Sequence, residues 1–259
     1  MKAARSYKYI PPVVLTAGLA GIVLRCLLYT FGPDDRGLIS HSHPLHMACG
    51  AIALAVGIYL ALSVRRREAS ENYRDNFPPN RQLLAAVIVV PLCFASSALT
   101  ALSVSYDRIG TAWAVIGFAA VPGMAYALYC QMTGKRPFLL VHVLICLYFA
   151  MDMICRYRFW SGNPQLADYT FHLFACAFLS LNAYYRAALC AGMGSRRMLL
   201  FTGWMSVLFC MFSLVGPDSL FAGPDQLLRY LGGAVWAAGS MCTLTLPRHR
   251  KSHTGQEEP

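Results

Sequence analysis

Eight apolar blocks, each near the length that carries an α-helix across a bilayer, run through this chain with only short polar stretches between them. A hydrocarbon core about 30 Å thick is spanned by roughly 20 apolar residues in helical form, because backbone N–H and C=O groups must find their partners inside the segment. The blocks cover residues 10–31, 43–64, 82–104, 111–131, 137–157, 168–191, 197–216 and 226–246. Only 13% of the residues are charged and 57% are apolar, against roughly a quarter charged in an ordinary soluble domain. Too little charge is left to coat a soluble surface. The expected fold is therefore an all-α membrane protein, a polytopic bundle of about eight transmembrane helices forming one transmembrane domain over residues 1–259.

Helix breakers sit where the connections are needed, at Gly32-Pro33, Pro78-Pro79, Gly134, Asn163-Pro164, Gly192 to Gly194 and Gly216-Pro217. Pro91 and Pro122 fall inside blocks instead. Each should free a backbone carbonyl, which neighbouring helices cover more readily than lipid does. Lys2, Arg5 and Lys8 precede the first apolar block in the manner of a signal peptide, but no small-residue cleavage site comes before Arg25 and Cys26. The first block is expected to remain as a helix. The ten cysteines are scattered singly without a CxxC and read as small buried hydrophobes rather than as a disulfide or metal framework.

Orientation follows from where the basic residues fall. One set of block ends carries Lys2, Arg5 and Lys8, then Arg65, Arg66, Arg67, Arg74 and Arg81, then Lys135 and Arg136, Arg196 and Arg197, and finally Arg248, Arg250 and Lys251. The alternate ends carry Arg25, Arg36, Arg108, Arg156, Arg158 and Arg229, while Arg186 lies in the inner half of the sixth block. Most acidic residues, Asp34, Asp35, Asp107, Asp152, Asp168, Asp218 and Asp225, fall at those alternate ends. The basic side is expected to be cytoplasmic, with both termini there and a short tail over 247–259. The formal charge of +10 is then a property of that one face, suited to anionic lipid headgroups. Nucleic-acid binding is not expected, since basic and aromatic residues are not interleaved on a soluble surface.

The layout also points to two parallel four-helix repeats, with halves at 8–136 and 137–248. Arg25 and Arg156, His41 and His172, and Arg65 and Arg196 are each 131 residues apart; Asp107 with Asp218 then falls at 111. Parallel repeats related by an axis along the membrane normal occur among transporters. Equally, any alternating eight-helix chain places charges at similar loop positions.

Two clusters could carry chemistry. The segment FGPDDRGLISHSHPLH gathers Asp34, Asp35, Arg36, His41, His43 and His46. His43 and His46 at i, i+3 would share a helical face, and Asp168 with His172 could add to them, so His43, His46, His172 and Asp168 are the candidate metal ligands. The spacing matches no standard zinc signature such as HExxH. The competing reading is an ordered loop in which Pro44 opens a helix and Ser42 or His43 caps it. In MDMICRYRFW, Asp152 and Arg156 stand four apart with the acid first, the better order for a helical ion pair, which reads first as a structural clamp and second as a solute-binding or proton-coupling pair. Arg25 should either snorkel or join Asp152 or Asp168. His142 lies near the inner end of the fifth block, away from the other histidines, so no pair brackets a haem. No cofactor is expected.

The stretch Asp35, Gly37, Leu38, His43 and Pro44, following a helix that ends in Arg25 and Tyr29, resembles a segment of uncharacterised multipass membrane proteins of clostridial-type bacteria. That resemblance implies a bacterial inner membrane and no particular activity. Three functions remain open: a permease-like or small-solute binding protein, favoured by the intramembrane Asp and Arg and the interior prolines; a non-catalytic membrane sensor or scaffold subunit with a membrane partner; and a metal-dependent membrane-embedded enzyme using the outer His and Asp residues. Oligomeric state is left open.

Overall fold

The computed structural model describes residues 9–33, 39, 43–65, 73–104, 108–162, 169–216 and 224–245. These form eight long helices: α1 (Ile10–Phe31), α2 (Pro44–Arg65), α3 (Leu84–Val104), α4 (Arg108–Thr133), α5 (Leu139–Trp160), α6 (Thr170–Ala191), α7 (Arg196–Phe212) and α8 (Pro224–Thr245). A single helical turn at Tyr73–Asn76 and a 3-10 turn at Arg81–Leu83 precede α3. No sheet is present among the described residues, where Pro33 and Ile39 form an isolated antiparallel bridge. The face on which α1 begins is here the proximal face, and the opposite one the distal face.

Six helices, α1 to α6, include stretches long and apolar enough to cross a membrane. The exceptions are α7, with 17 residues, and α8, which carries Asp225 and Arg229. α7 is short and also largely enclosed by protein. α7 lies against α1, α2, α6 and α8 and buries Leu199, Trp204, Leu208 and Phe212 among protein, so less of it has to be soluble in hydrocarbon.

Neighbour pairs close a ring. α3 packs on α4, α4 on α5, α5 on α6, α6 on α7, α7 on α8, and α8 returns to α3. α1 and α2 stand outside, packed on each other and on α7. This grouping of two helices against six differs from the pairings that equivalent halves over 8–136 and 137–248 would share. α6 packs along its successor α7, whereas α2 packs along α7 and not along α3.

Glycines make the close seams, as small residues do where helices meet in lipid. A Cβ at Gly18 would run into Met211, and one at Gly21 into Phe212, which is how α1 lies so near α7. Gly134 (φ +73°) and Gly192 (φ +79°) end α4 and α6 in the left-handed conformation that favours glycine. At the first, the Lys135 amide donates back to the Cys130 carbonyl at 2.8 Å. Ser195 accepts from the Met198 amide to start α7. His43 Nδ1 accepts from the Leu45 amide at 3.3 Å, just before Pro44 opens α2. All ten cysteines are free, and none is exposed.

On the proximal side the connection before α3 folds under the ring. Tyr73 and Phe77 are buried in the core, the Asn80 amide donates to the Met132 carbonyl at 3.1 Å, and Pro79 leans on Gly134.

Candidate functional site

The ring interior is polar at two depths. At each depth some contacts join helices that are not neighbours in the ring, α5 to α8 at one and α6 to α8 at the other, which identifies them as interior. In the distal storey, Asp152 of α5 accepts from Arg156 Nε at 2.9 Å and from Arg229 NH1 of α8 at 3.0 Å, both on Oδ1. Its Oδ2 accepts from the Cys176 thiol of α6 at 3.4 Å. Arg229 Nε donates to Ser97 Oγ of α3 at 2.9 Å, and its guanidinium lies 4.6 Å from the ring centre of Trp113 on α4. Asp225 Oδ2 stands 3.6 Å from Arg229 NH2 at the more open rim. One carboxylate therefore ties α5, α6 and α8 together, and Arg229 carries the link on to α3 through Ser97. The i, i+4 pair expected of Asp152 and Arg156 is formed, and Arg229 is the third member that spacing along one helix did not supply.

The proximal storey is built differently. Arg186 of α6 is 2% exposed. Its Nε donates to Asn182 Oδ1 at 2.9 Å, its NH2 to the Trp236 carbonyl of α8 at 3.4 Å, and its guanidinium lies 4.0 Å over the Trp236 ring. No carboxylate among the described residues pairs with it. His142 of α5, 1% exposed and within electrostatic reach of Arg186, has no hydrogen-bond partner on either ring nitrogen. The Asn182 Nδ2 donor is also unpartnered. Tyr73, from the turn beneath the ring, faces the same guanidinium electrostatically, and burial pushes its phenol well above the ordinary range, so it stays protonated and able to donate. Nearby, the Ser240 hydroxyl of α8 donates to Gln131 Oε1 of α4 at 2.9 Å.

Between the storeys lies an aromatic layer at the middle of the helices. Phe94 of α3 and Phe149 of α5 meet edge-on with ring centres 5.7 Å apart, and Phe149 is 5.8 Å from Trp236. All three are essentially inaccessible. Trp236 thus closes the aromatic layer and stacks on Arg186.

The sequence candidates divide. Asp34, Asp35, His41 and Asp168 lie outside the described residues. His43 is engaged as the cap of α2. His46 lies 5.5 Å from the Phe171 ring, and His172 is fully buried with its ring 5.2 Å from that of Tyr230. Among the described residues no three His, Cys, Asp or Glu side chains gather as metal ligands. Arg25 and Arg156 lie within electrostatic reach of His172, and two guanidiniums disfavour a dication beside it. Arg25 neither snorkels nor reaches Asp152. It is fully buried, donates Nε and NH2 to the Val215 carbonyl beyond α7 at 3.0 and 2.8 Å, donates to Tyr29, and stacks on Phe171. It fastens α1 to the ring.

Arg186, Asn182, His142 and Arg229 are not among the sequence candidates. A signal was present for three of them: Asn182 and Arg186, like Asp225 and Arg229, repeat the four-residue spacing of Asp152 and Arg156. Comparison with protein-family models, with curated proteins and with solved structures finds no match.

Proposed function

We propose that the chain is a permease-like membrane protein that binds a small solute inside its six-helix ring. The observation that carries this reading is the stacking of the interior: polar groups from non-neighbouring helices at two depths, with Phe94, Phe149 and Trp236 between them. Ionisable residues buried in a bundle are costly and mark solute or ion pathways more often than packing. An aromatic layer between two polar storeys is the arrangement a gated path requires. On this reading all eight helices cross the bilayer of a bacterial inner membrane. The basic residues on the proximal face support placing both termini in the cytoplasm, against anionic headgroups.

The test is osmotic swelling of proteoliposomes in isosmotic solutes of each charge class, followed by light scattering against protein-free vesicles. Swelling should accelerate for at least one class, and Trp236→Ala, which thins the aromatic layer, should raise the rate further. If no class enters faster than in protein-free vesicles, a scaffold or partner-subunit role takes the place of this one.

A further inference from the structure

We infer that the proximal storey is an oxyanion site, in which Arg186, His142, Asn182 and Tyr73 hold a small phosphate or carboxylate group. This deepens the solute-binding reading and rests on it for the solute's passage, though not for its binding.

Charge comes first. A guanidinium taken out of water costs several kcal/mol unless an anion offsets it, and Arg186 has no carboxylate partner among the described residues. Trp236 and Asn182 supply a cation–π face and one acceptor, which orient the fork without neutralising it. A planar fork with fixed donors is the side chain best matched to an oxyanion.

The second observation is independent of that charge. Two further groups around Arg186 leave donor capacity unused: the ring nitrogens of His142, which is 1% exposed, and the Nδ2 of the buried Asn182; the buried Tyr73 faces the same guanidinium. Buried donors are rarely left unmade. An imidazole supplies one N–H when neutral, an amide two and a phenol one. Apart from the acceptor nitrogen of His142, the unmet atoms of His142 and Asn182 are donors, so the partner they call for is an acceptor with several oxygens. By contrast, the distal storey already has its acceptor in Asp152.

The oxygens could belong to a free ion or to a lipid headgroup. Arg186 faces the ring interior, roofed by Trp236 and approached from below by the buried Tyr73, which favours the free ion.

The full chain, purified in nanodiscs of phosphatidylcholine alone, should show a saturable rise in Tm with inorganic phosphate or acetate. The rise should be about 5 °C when the ion is a hundredfold above half-saturation. Arg186→Gln should abolish the rise, and Arg186→Lys, His142→Ala and Asn182→Ala should each shift half-saturation upward by about tenfold or more. Lys135→Gln, which removes an exposed charge from the same face, should leave it unchanged. A second arm adds phosphatidylglycerol: if that lipid raises Tm through Arg186 while phosphate and acetate do nothing, the oxyanion is a headgroup. No response to any of these, or a phosphate response that survives in Arg186→Gln, overturns the site. Swelling without this binding would sink the site and keep the permease reading, and binding without swelling would do the reverse.

Discussion

The two storeys of the ring hold similar side chains and settle them in opposite ways. In the distal one, Asp152 draws Arg156, Arg229 and Cys176 onto a single carboxyl and so links helices that are far apart in the chain. In the proximal one, Arg186 rests on an aromatic face, an amide and a backbone carbonyl, with no carboxylate partner among the described residues. A buried charge that meets a carboxylate within the fold is a cross-link, whereas one that meets only neutral groups adds a desolvation cost without that link. Burial alone would not have told the two apart.

The largest way to break that contrast is Asp152→Asn, which strands two guanidiniums at once. It should cost about 3–5 kcal/mol of unfolding free energy, read from denaturant titration in mixed micelles. A loss under about 1 kcal/mol would mean that the distal storey is not a clamp. Next comes Arg229→Met, which removes charge-assisted bonds to Asp152 and Ser97 while leaving Arg156 in place. A loss of about 1.5–3 kcal/mol is expected in the same titration. The smallest effect sharpens the comparison most. Arg186→Met, measured without added anion, should stay within about 1 kcal/mol of the parent or be more stable, because removing an unpaired buried charge ends its desolvation penalty. Should Arg186→Met destabilise as much as Arg229→Met does, the storeys are alike and the proximal one is structural too.

Much of the fold was legible because lipid imposes a coarse rule. The block over 10–31 coincides with α1, and the others differ by a few residues. Gly134, Gly192 and Pro44 stand at the helix ends where their backbone preferences put them. The Asp152–Arg156 pair was legible for a local reason, since four residues on a helix bring two side chains together. Arg229 was not, because its partners Asp152 and Ser97 are 77 and 132 residues away and meet it only once α8 closes the ring against α3. Arg186 was not legible for the converse reason: five residues from the end of α6, its place in the sequence is equally that of an interfacial side chain reaching toward headgroups. Its direction is set by the neighbours of α6, which hydropathy does not encode. Likewise the histidines His43 and His46 drew attention by crowding in sequence, yet one caps a helix and the other packs on Phe171.

The turn beneath the ring carries a further consequence. Tyr73 and Phe77 are buried in the core, Asn80 is tied to Met132, and Pro79 rests on a glycine whose backbone conformation few other residues adopt. On the proposed permease reading, a solute reaching Arg186 from that side would have to wait for the turn to step aside. Loop excursions of this kind run over microseconds to milliseconds. The tempo of exchange would then be kept by eight residues of connecting chain, 73–80, whatever the solute's own speed of diffusion.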